Sequence, residues 1–87
     1  MYVIAVYDCG EKRVGKMLKL CRRYLHWIQN SVFEGELTKV QLLELKLEAK
    51  KILNEAEDSF IIFASRDEKW LEKTVIGIEK NSTDVFL

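Results

Sequence analysis

Tyr2-Val3-Ile4-Ala5-Val6-Tyr7-Asp8-Cys9-Gly10 opens the chain with an unbroken apolar and aromatic run that ends in a carboxylate and a glycine. Val3, Ile4 and Val6 are β-branched and both tyrosines suit a pleated surface, so the segment is predicted to be a strand. Apolar residues occupy both alternating positions, as in a central strand covered on both faces. Asp8 is the first polar group of that strand and lies at its end, with Gly10 breaking the extended run.

Working outward, Val14, Met17, Leu18, Cys21 and Leu25 recur at the three-and-four spacing of an amphipathic helix, with Lys12, Lys16, Lys19 and Arg23 on its other side. His26 to Glu34 is predicted as one second strand, bulged near Gln29-Asn30-Ser31 and ended by Gly35. Thr38 followed by Gln41 forms a capping box. The helix it opens takes its apolar face from Val40, Leu42, Leu43, Leu45, Leu47, Ala49, Ile52 and Leu53. After an acidic turn, Phe60 to Ala64 is predicted as a third strand buried on both faces. A polar connector carrying Trp70 leads to a fourth short strand over Lys73 to Ile78.

This β-α-β-α-β-β order approximates the βαββαβ pattern of an α+β sandwich. Right-handed crossovers place both helices on one face of an antiparallel sheet and leave the other face bare. A second protomer packed through that face would cover it. We therefore expect residues 1–80 to form one domain and residues 81–87 a tail. Val85, Phe86 and Leu87 in that tail either add a strand to the partner's sheet edge, pack on their own sheet, or stay disordered.

With 87 residues, the chain has room for one thin core, because a domain this size buries only about 60–65% of its unfolded surface. Hydrophobic residues make up 48% and charged residues 32%, with no proline, which describes an ordered globular chain. The longest apolar run falls far short of a membrane span and no basic stretch precedes it, so a cytoplasmic protein is expected. No glycine-rich phosphate loop is present, which argues against a nucleoside triphosphatase. Cys9 and Cys21 lack metal-ligand spacing and read as structural, and His26 alone builds no catalytic arrangement.

The net charge is zero, yet Lys12, Arg13, Lys16, Lys19, Arg22 and Arg23 fall in one window against Glu11. Such a helix is either a solvated face or a set of phosphate contacts, and the imbalance favours nucleic acid as a partner. Trp27, Phe33 and Trp70 suit either base stacking or core and interface anchoring. Asp8 also has two readings. It caps the following helix, or two copies meet across a dimer axis and hold Mg2+, with water and phosphate oxygens completing the shell.

Taken together, Tyr2 to Asp8, Arg13-Val14, Gln29-Asn-Ser31-Val32-Phe33-Glu-Gly35-Glu-Leu37 and Asp58-Ser-Phe-Ile-Ile-Phe63 resemble the CRISPR-associated Cas2 family over nearly the whole chain. The resemblance implies a ferredoxin-like fold and a homodimer formed by sheet-face packing and C-terminal strand exchange. It implies a role in CRISPR adaptation beside the Cas1 integrase, and a Mg2+-dependent endonuclease activity on RNA or DNA. It assigns Asp8 to the family's metal-binding, catalytic aspartate and aligns Phe33, expected at the interface, with its strand-two phenylalanine. Trp27 stands where some members described as nucleases carry a basic residue. A non-catalytic adaptor that lies along DNA through Lys12, Lys16, Lys19 and Arg23 is the alternative.

Overall fold

A computed structural model describes residues 1–67 and 71–80. Its elements are β1 (Tyr2–Asp8), α1 (Glu11–Tyr24), β2 (His26–Gln29), β3 (Val32–Glu36), α2 (Lys39–Ile52) and β4 (Ser59–Ser65). They form one antiparallel sheet in the order β2-β3-β1-β4. The apolar run of Tyr2 to Tyr7 thus becomes a central strand, flanked by β3 and β4.

Two expectations are corrected. The segment after α1 is not one bulged strand but a hairpin, β2 and β3, turned at Asn30, whose φ of 47° lies in the left-handed region that asparagine tolerates well. Trp27 Nε1 donates to the Asn30 carbonyl at 2.9 Å and braces the turn. The bulge sits at Ile28, between Trp27 and Gln29 in the β2–β3 register. Residues 73–78, expected as a fourth strand, form none and are exposed. The order is therefore βαββαβ, a ferredoxin-like α+β sandwich.

Val3, Ala5 and Tyr7 of β1 point to the helices and are buried with Met17, Leu20 and Cys21 of α1, Leu42, Leu45 and Ala49 of α2, and Phe33 of β3. Phe33 is 0% exposed and stacks on Tyr7 with ring centroids 6.0 Å apart. Burying one such side chain contributes about 1.5–3 kcal/mol. Phe33 was expected at a dimer interface; its ring instead belongs to the chain's own core.

The Thr38 capping box forms as expected: Gln41 N–H donates to Thr38 Oγ1 at 3.0 Å and Thr38 N–H to Gln41 Oε1 at 2.9 Å. Eight apolar residues are too many for one helix face, and Val40, Leu43 and Leu47 remain exposed.

By alternation, Ile4, Val6 and Asp8 of β1 face away from the helices. They lie beside Phe63, Ile61 and Ser59 of β4. Ile61 is 51% and Phe63 59% exposed, so β4 is not covered on both faces and the sheet presents an open apolar side. On β3, Glu34 accepts from the Tyr2 hydroxyl at 2.6 Å and from Lys73 Nζ at 2.7 Å. Burial would raise the Glu34 carboxyl, but the bonds from Lys73 and Tyr2 outweigh it and hold it below its ordinary range. Among the described residues, no helix is long and apolar enough to cross a membrane. The tail residues Val85, Phe86 and Leu87, with Trp70, lie outside the described residues.

Candidate functional site

The pleat that buries Tyr7 turns Asp8 outward, and its pairing with Ser59 fixes it at the end of the open face. Asp8 is exposed. It does not cap α1: the N-cap is Gly10, and no side chain of the N-cap residue closes the helix. That removes helix capping as the role of Asp8.

The capping work falls to Asp58, just before β4. Its Oδ1 accepts the Gly10 N–H at 2.9 Å and Arg13 Nη2 at 2.9 Å, while Oδ2 accepts the Asn54 N–H at 2.8 Å and Arg13 Nε. The Asp58 side chain is 1% exposed. The Arg13 guanidinium, together with the Asn54 and Gly10 amides, holds the Asp58 carboxyl well below the usual carboxylate range against the opposing effect of burial. The site was missed as such from sequence. Its signal was indirect: a helix that begins after Cys9-Gly10 has no local cap, so its free N–H groups require an acceptor from elsewhere.

Arg13 was expected among the phosphate contacts, and the structure gives it other partners. Its guanidinium is engaged by Asp58 and, at 3.1 Å, by Glu57. Gly10 makes room for it, since a Cβ there would stand 2.5 Å from Arg13 Nη2. Gly10 has φ −59° and ψ 149°, open to any residue, so a larger side chain there would be resisted by the position of the guanidinium and not by the backbone.

Lys12, Lys16, Lys19 and Arg23 are all exposed along α1, and Arg23 lies over the Tyr24 ring at 5.5 Å. These four remain available to a polyanion. His26 is exposed at the start of β2. Burial pushes the Cys21 thiol up to about 12, and burial with the nearby Asp58 charge raises Cys9. Both thiols are thus protonated at neutral pH, which suits structural roles.

Among the described residues, no group of three or more His, Cys, Asp or Glu side chains is placed to hold a metal ion within one protomer. Asp8 by itself offers a hard oxygen donor, exposed enough for water to complete a shell, which is the donor chemistry of Mg2+. One carboxylate is half of the two-copy arrangement expected from the sequence.

A βαββαβ sandwich with an open apolar sheet face, a carboxylate at the end of its central strand and a basic helix alongside defines a small ferredoxin-like protein with its polar site at the sheet's end. The family described as CRISPR associated protein Cas2 matches residues 1–73. A CRISPR-associated endoribonuclease Cas2 of Fusobacterium nucleatum is 49% identical, covering 100% of this chain and 87% of its own. That of Dictyoglomus turgidum is 48% identical, with 100% of both chains covered. A solved Cas2 crystal structure superposes with a TM-score of 0.84 at 46% identity, covering 92% of this chain and 90% of the other. The chain belongs to the Cas2 family.

Proposed function

We propose that this protein is a homodimeric CRISPR adaptation protein that also cleaves phosphodiester bonds in RNA, with Asp8 of each protomer holding Mg2+ between them. The observation that carries this is the placement of Asp8 on the same open apolar face as Ile4, Val6, Ile61 and Phe63. Burying that face against a second copy would bring the ends of both central strands, and both Asp8 carboxylates, toward the dimer axis. Two carboxylates there would repel one another unless a cation lay between them. Mg2+ so held would polarise a phosphoryl oxygen and lower the pKa of a bound water. The relatives of Fusobacterium nucleatum and Dictyoglomus turgidum, both named endoribonucleases, support the same activity.

The chain's own residues contribute orientation and charge. β1 fixes Asp8, and Lys12, Lys16, Lys19 and Arg23 draw in and align the nucleic-acid backbone without reading its sequence. The test is cleavage of labelled single-stranded RNA by purified wild type and Asp8→Ala at varied Mg2+. Loss of cleavage in the variant is expected, and equal cleavage would sink the proposal.

The exposed cations of α1 favour a second reading, a DNA-bridging adaptor that docks the Cas1 integrase without cutting. Charge reversal of Lys12, Lys16, Lys19 and Arg23 would then abolish reconstituted integration, whereas Asp8→Ala would leave it intact. The opposite pattern would exclude the adaptor.

A further inference from the structure

We propose that Asp58 is a positioning residue for Asp8, acting through Arg13 and Gly10 to lock the corner where β1 becomes α1. The inference rests on the role for Asp8 proposed above and adds the device that fixes its position.

Three parts of the chain converge on one buried carboxylate. Gly10 and Arg13 come from the start of α1, Asn54 from the turn after α2, and Asp58 itself precedes β4. Asp8 lies two residues before Gly10 and pairs with Ser59, the residue after Asp58. The strand end that carries Asp8 is thus held laterally by the β4 ladder and axially by the Asp58 clamp. A bidentate guanidinium–carboxylate pair is directional as well as strong. Gly10, with no side chain, lets the guanidinium approach the backbone at this corner.

Asp58→Asn tests the clamp, because all four acceptor positions face donors. Either orientation of the amide sets its NH2 against N–H groups: Arg13 Nε and the Asn54 amide in one, the Gly10 amide and Arg13 Nη2 in the other. Gly10→Ala is an independent lever that keeps both charges but displaces the guanidinium. Thr38→Ala serves as a control that weakens the opposite end of the molecule.

The full chain and these variants are compared by RNA cleavage and by hydrogen exchange of the Gly10 amide. Asp58→Asn is expected to lower kcat at least ~10-fold with KM within about twofold, since small displacements of a reacting group cost rates of up to about 100-fold. Gly10→Ala is expected to lower kcat in the same direction, and Thr38→Ala to leave it near wild type. Exchange of the Gly10 amide is expected to quicken at least ~10-fold in Asp58→Asn.

A wild-type kcat in Asp58→Asn, beside an inactive Asp8→Ala, would overturn the positioning role while leaving the function of Asp8 standing. An active Asp8→Ala would overturn that function and the catalytic consequence of the clamp together. Unchanged Gly10 exchange in Asp58→Asn would overturn the clamp itself. Should Asp58→Asn fail to fold, Gly10→Ala decides by the same two measurements.

Discussion

Asp8 and Asp58 lie one register step apart, Asp8 pairing with Ser59, yet their carboxylates have opposite surroundings. Asp8 is exposed on the open sheet face, whereas the Asp58 side chain is buried and accepts four hydrogen bonds. The second does the structural work at this corner, and the first stands exposed to solvent.

The acid limb of stability should therefore belong in part to Asp58. Its folded pKa is depressed, so its contribution is present above the unfolded carboxylate value of about 4 and is lost as pH falls through the folded value. Urea midpoints of wild type are expected to fall progressively as pH drops below about 5, because the unfolded carboxylate takes up its proton well before the folded one does. Asp58→Asn is expected to start lower at neutral pH and to show a shallower decline. Parallel profiles would contradict the assignment.

Phe33→Ala removes a ring that is 0% exposed and stacked on Tyr7. The expected loss is about 3–5 kcal/mol, read from denaturant unfolding. A loss below about 1 kcal/mol, typical of surface changes, would place the ring outside the core.

Thr38→Ala deletes the hydroxyl that accepts the Gln41 N–H. A destabilisation of about 1 kcal/mol is expected. Gln41→Ala, which removes only the reciprocal bond, should cost less.

Phe63→Asp places a charge on the open face, where Phe63 is 59% exposed. The protomer should keep its circular dichroism spectrum but sediment as a monomer, and wild type is expected to sediment as a dimer. A dimeric Phe63→Asp protein would move the association surface elsewhere.

Cys21, buried and raised to about 12, should resist alkylation in the native state and react only on unfolding. Cys9, half-buried beside the Asp58 charge, should label first but more slowly than a free thiol. Mass spectrometry after timed iodoacetamide treatment gives both rates.

Much of the fold is legible in the sequence because its strongest signals are local. The apolar Tyr2 to Tyr7 run, the period of α1 and the Thr38–Gln41 cap each need only neighbouring residues to be read. The β2–β3 hairpin escaped because its turn, Asn30-Ser31, lacks the usual glycine, and the short polar interruption Gln29-Asn30-Ser31 reads equally as a bulge within one strand. β4 resembles a fully covered strand by composition, but an apolar pentapeptide does not reveal that one of its faces awaits another surface. Asp8 was legible as a polar residue ending a greasy strand. The role of Arg13 was not, since its basic neighbours are periodic while its acceptor lies 45 residues away.

The long reach of Asp58 also bears on how the chain reaches its native state. α2 carries its own cap, so its first turn is stabilised by residues made together. α1 has no such provision: the acceptor for its Gly10 N–H is 48 residues downstream. The Gly10 N–H therefore gains this acceptor only once the segment leading into β4 has closed against the start of α1. The order of the chain and the order of its contacts thus differ: the opening of the first helix is closed by a residue that immediately precedes the edge strand β4.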